Sequence, residues 1–351
     1  MDKSRLYTND ERKELWKDRV IPAVLLVIGF LALLVISRIS FFYTNYQTNL
    51  TTFWVLRIVS LVLWTLFGLW VFYELNKAFL ENKIASLLLS FISLGMLFLS
   101  PNWLLSVLLS DSFAVFSVNN FAIFKNYLFI DSYGLNLILI FTITVFYSIF
   151  RMIVLKNNYI VKELIIKACY YFVALFVLNF LLKGFILLCA FNYGLELICL
   201  VIVIAMSSDI GGFFGGRFLG HKWFDKKLAP NISPKKTIEG AIVGYITAIL
   251  MSLALVFIWQ GVCIGLGSQN YIGKLFTSIN WGNEIFIFWL FIILAPFFAI
   301  IGDLYFSLIK RKIGIKDYSH ILRGHGGILD RVDSISFIFT FLGICLACVV
   351  I

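Results

Sequence analysis

Charge is scarce in this 351-residue chain, where Asp, Glu, Lys and Arg together make up 14% of the residues, against about 25% in soluble domains. With 61% apolar and 17% aromatic residues, too little polar surface remains for a water-soluble globular protein, and that class is excluded. Histidine is nearly lacking. There are three, and none stands at zinc-finger spacing from any of the six cysteines, so no structural zinc site is expected. The cysteines, at 169, 189, 199, 263, 345 and 348, lie in or beside apolar runs and read as small apolar side chains. Cys345 and Cys348 form a CxxC inside the last hydrophobic run, where neither redox nor metal chemistry is expected. No small-residue cleavage site follows the first apolar run, Ile21 to about Ile39, which therefore reads as an uncleaved first span and not as a signal peptide. No repeat of fixed period and no long linker divides the chain.

What the chain has in abundance is apolar runs of span length. A run of about 20 apolar residues crosses the hydrocarbon core as a helix that satisfies its own backbone. Such runs predict an all-α, polytopic integral membrane helix bundle of about nine transmembrane helices, at about 21–40, 54–73, 84–108, 128–150, 168–190, 194–215, 240–264, 285–308 and 333–351. The stretch 101–126 is interrupted by Pro101, Asp111 and the Asn119-Asn120 pair, and reads as an interfacial or re-entrant piece or a tenth span.

The net charge of +10 does not point to nucleic acid, because the basic residues sit in short loops and not in one soluble basic domain. An anionic lipid surface is the expected partner. Lysine and arginine cluster in the N-terminal segment and in the loops 74–83, 151–167, 216–239 and 309–332, all on one side under a nine-span count. The intervening loops hold only Lys125 and Lys274. That asymmetry orients the N-terminus and both late loops toward the cytoplasm. The chain reads as one continuous membrane domain, with N-terminal transmembrane helices over 1–194 and a chemically rich transmembrane region over 195–351.

Two polar stretches, 207–240 and 302–334, carry nearly all the groups that are costly to place at a membrane. In the first, Asp209 closes an apolar run and needs a cation, water or a hydrogen-bond partner. Gly211, Gly212, Gly215 and Gly216 follow, and small-xxx-small spacing of this kind serves helix packing as readily as ligand approach. Ser233-Pro234-Lys235-Lys236-Thr237 then precedes Glu239 and Gly240 at the head of a span. A hydroxyl there caps the helix, and free N–H groups beside two lysines suit a phosphate; a positive-inside flank is the competing reading. In the second stretch Asp303, Ser307 and Lys310 share a helix face at i, i+4 and i+7. Beyond them come Arg311, Lys316, Asp317, then Gly324-His325-Gly326-Gly327, then Asp330, Arg331 and Asp333. Glycines beside a histidine let backbone N–H groups approach an anion, and the carboxylates suit a hard cation such as Mg²⁺.

The run Ser307-Leu-Ile-Lys310-Arg311, Lys316-Asp317, His325-Gly326-Gly327-Ile-Leu-Asp330-Arg331-Val-Asp333 resembles the signature of the phosphatidate cytidylyltransferase (CDP-diacylglycerol synthase) family, in order and spacing. The Ser233–Gly240 block resembles a second block of that family, and Asp209 with Gly215-Gly216-Arg217 a third. The resemblance spans about 195–351, with Ile238 in place of a usual tryptophan, Phe213 of a usual tyrosine and Arg323 of a usual proline or glycine. It implies a CTP-dependent nucleotidyltransferase of phospholipid biosynthesis that joins CTP to phosphatidic acid, giving CDP-diacylglycerol and pyrophosphate, with Mg²⁺ as cofactor. Asp303 and Asp330 match the family's metal positions. Asp209 and Asp333 then complete or orient the acidic set, Lys235, Lys236, Lys310 and Arg311 hold phosphates, and His325 organises phosphate or backbone, with a proton shuttle as the competing role. Ser233, Thr237, Glu239, Arg217, Ser307, Lys316, Asp317, Gly326, Gly327 and Arg331 join the expected substrate site, while His221 and His320 read as ordinary loop residues.

The expected setting is a multi-pass membrane protein with its active site on the cytoplasmic face, in the inner membrane if the source is bacterial. A homodimer is left open. Two rivals remain at this stage. A CTP-dependent polyprenol or lipid kinase shares the broader resemblance, and a polytopic transporter shares the composition, although its polar sites usually sit near the membrane midplane.

Overall fold

The computed structural model describes residues 20–43, 50–98, 131–155, 160–191, 194–267, 283–319 and 326–348. Nine α-helices occur among them: α1 (Ile21–Arg38), α2 (Leu50–Leu80), α3 (Lys83–Phe98), α4 (Asp131–Leu155), α5 (Val161–Ala190), α6 (Gly194–Phe218), α7 (Ile238–Gly265), α8 (Asn283–Ile313) and α9 (Leu329–Cys348). Eight of them, α3 excepted, are long and apolar enough to cross a membrane, so the chain is an integral membrane helix bundle. The expected span 84–108 is represented by the 16 residues of α3. Its remainder and the stretch 101–126 lie outside the described residues.

Local chemistry sets the helix ends. Pro22 stands in the first turn of α1, where its missing N–H costs nothing. Asn82 accepts from the backbone N–H groups of Ile84 (3.0 Å) and Ala85 (3.2 Å) and so caps α3. At the end of α8, Gly314 adopts φ 84°. The Ile315 N–H then reaches the Lys310 carbonyl at 2.9 Å and the Gly314 N–H the Arg311 carbonyl at 3.3 Å, a Schellman stop that turns the chain back immediately after the basic triplet Lys310-Arg311-Lys312.

α5 is buried over nearly all of Ala174–Ala190 and packs against α4, α6 and α9. A helix apolar all round belongs inside. Phe185 shows why the position holds: it stacks on Phe339 of α9 at 5.6 Å and meets Phe30 of α1 edge-on at 5.4 Å. By contrast α1 exposes Leu25, Val27 and Ile28, which in hydrocarbon carries no penalty, so packing and not burial from water decides which faces meet.

α6 and α7 pack closely through glycine. A Cβ on Gly211 would lie 1.9 Å from Thr247 Oγ1, and one on Gly215 would lie 2.5 Å from Val243 Cβ. The Thr247 hydroxyl donates across this seam to the Ser207 carbonyl at 3.1 Å.

Between α6 and α7 the chain forms a small antiparallel hairpin, β1 (Lys227–Ala229) and β2 (Ser233–Thr237), pairing Lys227 with Thr237 and Ala229 with Ser233. Pro234 is accommodated because two strands leave each an open edge. The Arg311 guanidinium donates through Nε to the Ile232 carbonyl at 3.1 Å and ties this hairpin to the end of α8. The loops after α6 and after α8 therefore lie at one face of the bundle.

Candidate active site

A cavity of about 660 Å³ opens between α6, the hairpin, the start of α7 and α8. α6 lines it with Asp209, Gly212, Gly216 and Arg217; the hairpin adds Ser233, Lys235, Lys236 and Thr237; α8 contributes Asp303. Phe213, Leu228 and Ile300 complete an apolar wall. The Asp209 and Ser233–Gly240 blocks thus meet Asp303, four residues ahead of the Ser307–Asp333 run, around one space. The glycines divide by role: Gly211 and Gly215 allow the helices to touch, whereas Gly212 and Gly216 face the cavity.

Lys236 Nζ forms an ion pair with Asp303 Oδ2, with both side chains partly open to the cavity. The Ser307 hydroxyl leans on Asp303 Oδ1 at 3.3 Å, as their i, i+4 spacing requires. Asp303 interacts electrostatically with both Asp209 and Asp333, and Lys236 and Arg331 counter the charge of Asp209. Thr237 takes extended backbone angles and its Oγ1 accepts from the Gly240 N–H at 3.1 Å. It is the expected cap, and it leaves the start of α7 facing the cavity. Lys235 is exposed beside it.

The remaining signature residues form a second cluster behind the first. Lys310 donates to Asp330 Oδ1 at 2.8 Å. Asp330 Oδ2 accepts from the backbone N–H groups of Tyr318 at 3.0 Å and Gly327 at 2.9 Å, so Asp330 closes the turn that Gly326 makes at φ 75° and starts α9. Burial, with the Asp330 charge adding to it, pushes the Tyr318 phenol well above its usual range, so the phenol remains a neutral donor, to the Phe306 carbonyl at 3.2 Å. Asp333 accepts from its neighbour Ser334 N–H at 2.7 Å.

Other expected site residues are placed differently from the cavity set. Glu239 is fully buried, and its Oε1 accepts from the N–H groups of Trp223 (3.2 Å) and Phe224 (2.9 Å). It thereby orders the loop after α6, where His221 takes a left-handed φ of 61°. Arg311 holds the hairpin turn, as described above. Among the described residues, Lys316 and Asp317 do not line the cavity. His325 and Arg323 lie outside the described residues.

One participant went unread in the sequence. Glu74 of α2 is buried at 1% exposure. It accepts from Leu329 N–H at 2.9 Å, 255 residues away. A lone carboxylate in a long apolar run was the available signal, but nothing local says which backbone it serves.

No group of three or more His, Cys, Asp or Glu side chains forms a ready metal cage among the described residues. A Mg²⁺ ion shared with substrate phosphates needs only one or two protein carboxylates. Asp303 and Asp209, both on the cavity wall, fit that requirement. Asp330, with both oxygens already engaged, fits it only if it gives up a partner.

A model described as the cytidylyltransferase family matches residues 16–349, extending the likeness through the N-terminal helices as well. The chain is 37% identical to the phosphatidate cytidylyltransferase of Helicobacter pylori over 146 residues, 42% of this chain and 45% of that one. It is 35% identical to that of Haemophilus influenzae over 144 residues, 41% of this chain and 43% of that one, and 41% identical to that of Rickettsia bellii over 139 residues, 40% and 52%. The chain thus spans about half the length of the curated relatives it matches.

Proposed function

The chain belongs to the cytidylyltransferase family, and from that premise we propose that it acts as a phosphatidate cytidylyltransferase, converting CTP and phosphatidic acid to CDP-diacylglycerol and pyrophosphate. The observation that carries this reading is the cavity at one face of a membrane bundle, with the Lys236–Asp303 pair, Asp209 and the capped start of α7 on its polar wall and Phe213, Ile300 and Leu228 on its apolar wall. A polar, charge-bearing space beside lipid-facing helices suits a reaction between a nucleotide and a lipid headgroup.

In that reaction a phosphatidate oxygen attacks the α-phosphorus of CTP. The bond from that phosphorus to the bridging oxygen breaks, and pyrophosphate leaves with the electron pair. Both reactants are anions, so positioning and charge neutralisation dominate the barrier. Lys236 and Lys235 neutralise phosphate oxygens, and Arg217, which also lines the cavity, adds a cation. The free N–H groups at the start of α7 donate to the same oxygens. The attacking phosphate is ionised near neutral pH, so no general base is needed. Asp303 and Asp209, on the same cavity wall, would hold Mg²⁺, with Asp330 as the further candidate ligand. When bound, the ion would supply neutralisation of the phosphate charge. The density of Lys and Arg in loops 216–239 and 309–332 supports a cytoplasmic face for the site, in the inner membrane if the source is bacterial.

The test uses membranes containing the protein, phosphatidic acid and CTP labelled at either the α or the γ phosphate. The α label is expected in the lipid, dependent on Mg²⁺. Transfer of the γ label to lipid would identify a CTP-dependent lipid kinase and overturn this reading.

A further inference from the structure

We propose that Glu74 of α2 is a positioning residue for the signature segment at the head of α9, a role resting on the functional reading above. Glu74 is buried, and each of its oxygens has a defined donor. The Trp70 indole Nε1 holds Oε1 at 3.0 Å, from one turn earlier on α2. The Leu329 N–H holds Oε2 at 2.9 Å. That N–H belongs to the first turn of α9 and has no partner within the helix, so the carboxylate satisfies an orphan donor and stabilises the helix's positive end.

The same carboxylate explains the second glycine of the signature. A Cβ on Gly327 would lie 2.3 Å from Glu74 Oε2 and 2.8 Å from its carboxyl carbon. A side chain at 327 would therefore have to push the Glu74 carboxylate off the Leu329 N–H. The residues between and after these contacts are Ile328, Leu329 and Asp330. Asp330 receives Lys310, Tyr318 N–H and Gly327 N–H. Two carboxylates thus clamp one turn, Asp330 from within and Glu74 from a helix in the N-terminal half. Loss of Glu74 frees the backbone at 327–329 and lets Asp330 shift against its partner Lys310 on α8. Misplacement by about 1 Å at such a site costs on the order of a hundredfold in rate.

The experiment measures kcat and KM for CTP in Glu74→Ala, Glu74→Gln, Gly327→Ala and the Glu74→Ala/Gly327→Ala double variant, together with backbone hydrogen exchange across 326–332. Glu74→Ala is expected to lower kcat by about tenfold or more, leave KM for CTP within about threefold, and raise exchange at 326–332. Glu74→Gln keeps a carbonyl acceptor for the Leu329 N–H and should recover most of the rate. Gly327→Ala should be as damaging as Glu74→Ala in the wild-type chain and add little in the double variant, since the collision partner is gone. If Glu74→Ala fails to insert, the glutamine and Gly327 variants and their exchange patterns decide. Multiplicative losses in the double variant, or unchanged exchange at 326–332 in Glu74→Ala, would overturn the clamp. Absence of α-label transfer in the wild type would instead sink the functional reading, with the exchange measurements still testing the clamp.

Discussion

Lys236 of β2 and Asp303 of α8, 67 residues apart in the chain, meet as an ion pair on the wall of the cavity. The pair joins the Ser233–Thr237 block to the Asp303–Asp333 block, and its partial exposure leaves both charges within reach of an incoming phosphate. Lys236→Gln is therefore expected to lower kcat/KM for CTP by about tenfold to a hundredfold, the loss of one charge-assisted contact of about 1.5–3 kcal/mol. Lys235→Gln, at an exposed lysine without that partner, should cost less. Normal kinetics in the double variant would return this loop to a topology signal.

Asp303 and Asp330 differ in what each one already binds, so their variants should differ in kind. Asp303→Asn is expected to abolish most α-label transfer at limiting Mg²⁺ with thermal stability near that of the wild type. Asp330→Asn should also lower the melting temperature in detergent, because it weakens the acceptor for Lys310 and two backbone N–H groups, worth about 1–3 kcal/mol when buried donors lose a partner. Equal melting temperatures for the two variants would contradict the capping role of Asp330.

The glycine seam between α6 and α7 makes a steric prediction. Gly211→Ala and Gly215→Ala place a methyl against Thr247 and Val243, forcing apart the two helices that bound the cavity. Both should lower stability and activity together, by about 1–3 kcal/mol for an overpacked contact. Gly261→Ala, with nothing within 4 Å of the added carbon, should be neutral in both assays.

Because Arg311 reaches the Ile232 carbonyl, the loops after α6 and α8 must share one side of the bilayer. Cysteines placed at Lys226 and at Lys316, in a chain freed of its exposed Cys169 and Cys348, should react with an impermeant thiol reagent from the same side only. Given the basic loops, that side is expected to be the cytoplasm. Labelling of one from outside and the other from inside would contradict the shared face.

Much of the architecture was legible in the linear chain, because lipid imposes a length and composition on every span. The start of α7 was legible for a local reason, the Thr237 hydroxyl ahead of the span, whereas the run of α8 on to Ile313 and its stop at Gly314 were not read. The alignment of Asp303 with Ser307 was legible too, since 3.6 residues per turn dictates it. Which charge meets which depends instead on helix packing. Lys310 follows Asp303 by seven residues, yet it turns to Asp330, while the partner of Asp303 comes from a hairpin. Glu239 and Arg311 are charged residues inside recognisable motifs, but the fold uses them to hold the Trp223-Phe224 backbone and the hairpin turn. Glu74 is the clearest case, because a carboxylate in an apolar run announces only that some buried donor needs it. That the donor is Leu329 N–H, 255 residues on, is decided by the packing of α2 against α9. No local propensity contains that information.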